Sequence, residues 1–291
     1  MPQSRIAEPL PVSFERCTAA GDAPPESPAA LGTGALVGLV VLVVLVGAAT
    51  YAAVATVVDE QPGRAIVNAR AILAAEEHLG VAFERDAQQS FLGQGVAGAI
   101  SSAVYALVYW PFVVGTLLIT AWRRRSGFRL MRNALLISGA VGLVAIALFP
   151  VTPPRMLEGY EDRLADMPVL GSLAHPDGLF NPHAAMPSFH VGWMVVAAFG
   201  LRGLAGPVWR WTPPALMAIA VVTTGNHYVL DVVAGGGLAL VAWGLAAPMQ
   251  RRLDEAGLHR AGRRSLESPR GCRPGMLRTR RADGSAEVVA E

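Results

Sequence analysis

At 291 residues the chain is long enough for one or two soluble domains, but 53% of it is hydrophobic and only 16% is charged, which excludes a soluble fold. A net charge of +2 gives no basis for a nucleic-acid partner. Cys17 and Cys272 lie in opposite tails and offer neither a disulfide framework nor a metal-binding pair.

Several apolar runs reach about 20 residues, the length that crosses a bilayer as a helix. They do not alternate in polarity, so a membrane β-barrel is excluded. The fold class expected is all-α, a polytopic membrane protein with about six transmembrane helices. All 24 basic residues are Arg, a mark of a GC-rich coding genome, and the expected location is a bacterial plasma membrane.

Residues 1–30 are rich in Pro, Ala and acidic side chains and read as a disordered tail. The apolar run at 31–58 begins too late and is too long for a signal peptide, so it reads as an uncleaved first span. Residues 61–90 read as an interfacial helix. Ile72, Leu79 and Phe83 recur at helical spacing, with Glu76, Glu77, Glu84 and Arg85 on the remaining surface. Further spans are expected at 95–122, 133–149, 186–201, 211–225 and 228–249, with a Pro-rich outer loop at 151–187. The membrane domain is thus 31–249, and 250–291 reads as an Arg-rich disordered tail. Arg123, Arg124, Arg125, Arg129 and Arg132 cluster between the second and third spans. By the positive-inside rule they put that loop and both termini in the cytoplasm. Arg155, the stretch 181–190 and His227 then share the outer face. The Arg-rich tail reads as a topogenic flank that binds anionic lipid.

Two motifs at the edges of apolar runs carry the chemistry: Asn181-Pro182-His183-Ala184-Ala185-Met186-Pro187-Ser188-Phe189-His190 and Gly225-Asn226-His227-Tyr228-Val229-Leu230-Asp231. Ionisable residues beside membrane spans are costly and mark function. His227 and Asp231 are four apart, so on a helix the carboxylate can hold the imidazole in one tautomer and favour a nucleophilic nitrogen. Pro187 and Ser188 read as a helix start with Ser188 as N-cap, a ready anion site, and His190 in the first turn is placed to donate a proton. Arg155 follows Pro150, Pro153 and Pro154, a rigid setting for bidentate phosphate binding. Asn181, His183, Asn226 and Tyr228 are further candidate substrate contacts. His183, His190, His227 and Asp231 are all metal-ligand types, but no tight pair such as His-x-x-x-His is present, so no metal and no cofactor are expected.

Arg155, Pro-Ser-x-His and His-x-x-x-Asp, in this order, resemble the type 2 phosphatidic acid phosphatase superfamily, which also contains the vanadium haloperoxidases. Ala184 to His190 and Asn226 to Asp231 carry most of the resemblance, Pro153-Pro154-Arg155 adds to it, and it covers about residues 60–249. The inositolphosphotransferase branch, which includes inositol phosphorylceramide synthase, is the most similar. The resemblance implies a phosphohistidine mechanism. His227 attacks phosphorus, His190 protonates the leaving alcohol, Asp231 orients His227, and Arg155 with Ser188 binds phosphate. Water as acceptor gives a phosphatase; a polyol such as inositol gives a transferase. The expected partners are a lipid phosphate and the bilayer, with no nucleic acid.

The wider family has a Lys before its first Arg, and this chain has no Lys. It also has a Ser-Arg pair where this chain has Ala220 and Val221. Two phosphate ligands are therefore missing, which agrees with the inositolphosphotransferase-like branch and throws weight onto Arg155. Arg163, Asn181, His183 and Asn226 are the possible substitutes. The competing reading is a catalytically degenerate member that serves as a membrane binding or structural protein.

Overall fold

The computed structural model describes residues 13–16, 62–175, 181–267, 276–280 and 286–290, together with isolated helical positions between 34 and 49. The first span expected at 31–58 otherwise lies outside the described residues. Contacts divide the chain into two compact units, Gly32–Leu253 and a second made of Met1–Leu31 with Asp254–Glu291. In the second unit, β1 (Ser13–Arg16), β2 (Met276–Arg280) and β3 (Ala286–Ala290) pair antiparallel in that order. These strands fall in the stretches read from sequence as disordered.

The larger unit is built from helices. α1 (Pro62–Leu79) ends at Gly80, whose φ of +70° turns the chain into α2 (Glu84–Gln89). The single interfacial helix expected at 61–90 is therefore two helices, and its faces differ from the periodicity reading. Leu79 and Phe83 are exposed, whereas Glu76 and Glu84 are 0% and 1% exposed. Ile72 is buried as expected.

α3 (Gly95–Arg123) and α4 (Arg125–Leu148) follow, meeting at Arg124. α4 starts eight residues before the apolar run because Arg is a good helix former and extends the helix through the basic cluster. It ends at Pro150, which cannot continue it. α5 (Pro168–Ala174) lies in the Pro-rich loop at 151–187. α6 (Phe189–Gly200) has only 12 residues, α7 (Pro207–Thr223) has 17, and α8 (Val229–Glu267) runs well past the expected end at residue 249. Among the described residues, three helices are long and apolar enough to cross a membrane: Gly95–Arg123, Arg125–Leu148 and Val229–Leu253. This all-helical unit is a membrane protein's.

The core lies where α3 packs on α4, α6 and α7 and where α6 packs on α4 and α7. Met131, Met194, Val196, Ala197, Met217 and Val221 are fully buried there. α6 approaches α8 closely at glycines. A Cβ on Gly192 would meet the Gly235 carbonyl oxygen at 2.7 Å, so neither helix has room for a side chain at the crossing. Gly236 and Gly237 have nothing within 4 Å, so of the three consecutive glycines only Gly235 serves this packing.

Candidate active site

The loop at 151–187 is sewn to itself before it meets the helices. Val151 and Ala184 form a parallel bridge, with Val151 N donating to His183 O at 2.8 Å and Ala185 N donating to Val151 O at 3.1 Å. His183 N donates to Asn181 Oδ1 at 2.8 Å, and His183 Nδ1 lies 3.1 Å from Thr152 Oγ1. Tyr228 OH donates to Thr152 O at 2.8 Å. Asn181, His183 and Tyr228 are buried in this frame, and these bonds hold the two ends of the loop against the start of α8. The frame fixes Ala185, whose carbonyl enters the site.

Arg155 sits in a short 3-10 turn, Pro154–Met156, and its backbone N–H donates to Gly225 O at 2.8 Å. Its Nε donates to Asn226 Oδ1 at 3.0 Å, and its NH1 pairs with Asp162 Oδ2 at 2.7 Å. Gly225 has φ of +73°, and a Cβ there would stand 3.2 Å from the Arg155 Cβ. The glycine thus permits the close approach that brings the first and last motifs together. Arg163 turns elsewhere, pairing with Glu161 at 2.8 Å and donating to Gln88 O at 3.3 Å.

His227 is buried between the loop and α8. Its Nδ1 lies 2.7 Å from Ala185 O and 3.4 Å from Asp231 Oδ2. A carbonyl oxygen can only accept, so Nδ1 carries a proton, and in the neutral ring the lone pair then lies on Nε2. The sequence assigned that orienting bond to Asp231. In the structure the shorter bond is to the loop carbonyl, and Asp231 Oδ2 also accepts from Tyr228 N at 2.9 Å.

Ser188 caps α6, accepting from Val191 N at 3.5 Å, and its own N–H donates to Asp231 O at 3.1 Å. His190 follows in the first turn. Its ring centroid is 5.8 Å from that of His227, with the planes inclined at 61°. Tyr105 stacks on His190 at 4.6 Å, and Tyr109 tilts against it at 4.5 Å. Both tyrosines come from α3, which thereby walls the site. The structure thus brings Arg155, Ser188, His190, Asn226, His227 and Asp231 into one cluster.

One histidine in the cluster was not singled out from the sequence. His175, at the C-terminal end of α5, places its Nε2 3.3 Å from Tyr105 OH, and it contacts Asn226. Burial first, and then the Arg155 guanidinium, push it down to about 4, so it is neutral at pH 7. Nothing in its local sequence marks it; only the fold of the loop over α3 brings it in. Ala220 and Val221, which replace the family's Ser-Arg pair, are fully buried, and Val221 O accepts from both Asn226 N and His227 N at 3.0 Å. Among the described residues, no cluster of three or more His, Cys, Asp and Glu side chains has the arrangement to hold a metal ion.

The model of the PAP2 superfamily matches residues 70–245, more than half of the chain and every element that supplies this cluster. The chain belongs to the PAP2 superfamily. No curated protein and no solved structure matches it. Membership supports the general class of chemistry of the superfamily's phosphoesterases and phosphotransferases, cleavage or transfer of a phosphate ester. In this PAP2 chain the matched segment contains the three described helices fit to cross a membrane, except the C-terminal end of Val229–Leu253.

Proposed function

We propose that the protein is an integral membrane lipid-phosphate phosphatase or headgroup phosphotransferase, resembling the inositolphosphotransferase branch, that works through a phosphohistidine on His227. The observation that carries this reading is the 2.7 Å contact of His227 Nδ1 with Ala185 O. It commits the proton to Nδ1 and leaves Nε2 as a nucleophile, with His190 beside it. Nε2 forms the P–N bond as the bond from phosphorus to the leaving oxygen breaks. His190 gives that oxygen its proton. In the second half, His190 takes the proton of an acceptor hydroxyl, whose oxygen bonds to phosphorus as the P–N bond breaks. Water completes a hydrolysis; a polyol such as inositol completes a transfer. Tyr105 and Tyr109 pack against the His190 ring and hold it beside His227, and the first half requires that ring to enter carrying a proton.

Arg155 is the cation assigned to the phosphate oxygens, helped by the N–H groups at the start of α6. In the structure its NH1 is held by Asp162, so a bound phosphate competes with that carboxylate. Without the family's Lys and Ser-Arg pair, the described cluster has no second guanidinium or ammonium, and Asn226 and His175 are the neutral polar groups that accompany Arg155. The site is assigned to the outer face of the membrane. α4 supports this: Arg125 stands at its start and Arg155 beyond its end, and its 24 residues at about 1.5 Å each put about 36 Å between the two ends of the helix.

The test is phosphate release and headgroup transfer by the purified protein in lipid nanodiscs, using labelled lipid phosphates with and without inositol. Turnover that disappears in both His227→Ala and His190→Ala supports the mechanism, and dependence on inositol separates transfer from hydrolysis. Vanadate, which resembles trigonal phosphorus, should inhibit. Absence of turnover on every donor, with both variants folded and binding ligand like the parent, favours the degenerate structural member.

A further inference from the structure

Two buried carboxyl groups take no part in the steps above. Glu76 comes from α1 and Glu84 from the first residue of α2, and both are sealed from solvent at 0% and 1% exposure. Each reaches the start of α8, more than a hundred residues away in the chain. Glu84 Oε1 accepts from Val229 N at 2.9 Å, and Glu76 Oε1 accepts from Leu230 N at 2.7 Å. With Tyr228 N bound to Asp231 Oδ2 and His227 N to Val221 O, every backbone N–H from His227 to Leu230 is tied to a partner. These include the free donors of a helix N-terminus, and at Val229 and Leu230 side chains from another part of the fold cap them. The other oxygens, Glu76 Oε2 and Glu84 Oε2, are buried without a hydrogen-bond donor, although the two side chains lie within hydrogen-bonding reach of each other. Two ionised carboxylates cannot bond to one another; a single proton between them supplies the missing donor.

We propose that Glu76 and Glu84 are positioning residues that share one proton and, as a singly charged pair, clamp the first turn of α8 so that His227 keeps its place against Ala185 O. This rests on the assignment of His227 as the nucleophile. One negative charge suits the positive end of a helix dipole. A second adds repulsion in a buried space that already holds Asp231. Burial, reinforced by the hydrogen bond with Glu84, pushes Glu76 up to about 8. The groups that interact with the pair are Tyr160 in the outer loop and Tyr228 and Asp231 at the start of α8, with Glu77 on α1 and Arg85 on α2 acting on Tyr160. Of these only Arg85 is cationic, and it lies 5.2 Å over the Tyr160 ring. Loss of the shared proton above pH 8 therefore drives the carboxylates apart and frees the α8 cap.

Gln in place of Glu76 separates this from a plain structural clamp. Its amide oxygen still accepts from Leu230 N, its amide nitrogen donates to Glu84, and it does not titrate. The experiment records kcat and KM against pH for the parent, Glu76→Gln and Glu76→Ala in nanodiscs. It also records the exchangeable carboxylic-acid C=O stretch by infrared difference spectroscopy and thermal unfolding from pH 4.5 to 9. Glu76→Ala should lose about tenfold or more in kcat with little change in KM, since the loss is of position rather than of substrate contact. Glu76→Gln should restore kcat at neutral pH and carry the alkaline fall in kcat to higher pH. The carboxylic-acid band should be present in the parent at pH 7, fade through about pH 8, and be missing in Glu76→Gln. Because the folded carboxyl titrates above its usual 4.5, the parent's stability falls as pH rises from 4.5 through about 8, and in Glu76→Gln that fall is lost. Superimposed alkaline limbs for parent and Glu76→Gln, or no carboxylic-acid band at pH 7, overturn the shared proton. If the parent turns over no substrate, it is the phosphohistidine reading that fails, and the infrared and unfolding arms still decide the proton.

Discussion

Gly192 lies two residues beyond His190 on α6 and faces Gly235, four residues beyond Asp231 on α8. A methyl group at Gly192 meets the Gly235 carbonyl oxygen at 2.7 Å and its carbon at 3.2 Å, whereas ordinary contact begins at 3.4 Å. The helices must therefore part by about 0.7 Å at the crossing, because the obstacle is backbone and cannot rotate away. That crossing also carries the bond from Ser188 N to Asp231 O and sets the 5.8 Å separation of the His190 and His227 rings. Overpacking of this kind costs about 1–3 kcal/mol, and a displacement near 1 Å at a reacting centre costs on the order of a hundredfold in rate. Gly192→Ala should thus lower Tm and cut kcat by about ten- to a hundredfold. Gly235→Ala should do worse, since its methyl runs into three backbone atoms of Ser188. Gly236→Ala, with nothing within 4 Å, should keep full activity and gain about 0.5–1 kcal/mol from helix propensity. Thermal unfolding in detergent and phosphate release in nanodiscs measure both quantities. Equal stability and turnover for Gly192→Ala and Gly236→Ala would refute the claim that the α6–α8 crossing sets the spacing of the two histidines.

Other perturbations separate the remaining parts. Asp231→Asn should reduce kcat by about a hundredfold, less than the roughly 10⁴-fold loss seen when a triad carboxylate alone sets the tautomer, because Ala185 O already fixes Nδ1–H; steady-state kinetics would show it. Arg155→Lys gives up the forked geometry that meets Asn226 and Asp162, and should weaken vanadate inhibition about tenfold or more. Asp162→Asn removes the carboxylate that competes for the same guanidinium, so vanadate should bind more tightly to it in an inhibition titration. His175 is neutral in the fold down to about pH 4 but titrates at 6.5 when unfolded. Its contribution to stability is complete above pH 6.5 and is lost as pH falls toward 4, so His175→Gln should show a shallower acid loss in an unfolding series.

The groups proposed to react were legible in the sequence because local rules place them. A Pro-Ser step starts a helix, four-residue spacing puts His227 and Asp231 on one face, and prolines fence the segment holding Arg155. The apolar runs gave the three long helices for the same reason, since bilayer length is a constraint on composition. The Glu pair was not legible. Helical periodicity sends Glu76 and Glu84 to the surface with Glu77 and Arg85, and only the start of α8, 154 and 145 residues on, gives them donors worth burying for. His175 and Tyr105 were hidden likewise, because a loop histidine and a span tyrosine become site walls only when α5 folds against α3. The bond from Ala185 O to His227 was invisible to side-chain patterns, since it comes from backbone.

The central claim is that His227 takes the phosphoryl group, and rapid quench with a lipid phosphate labelled at phosphorus tests it most directly. The account predicts a transient phosphoenzyme that is labile in acid and stable in base, mapped to the peptide containing His227 and missing in His227→Ala. Steady turnover with no labelled enzyme at any time, and His227→Ala retaining it, would contradict the account.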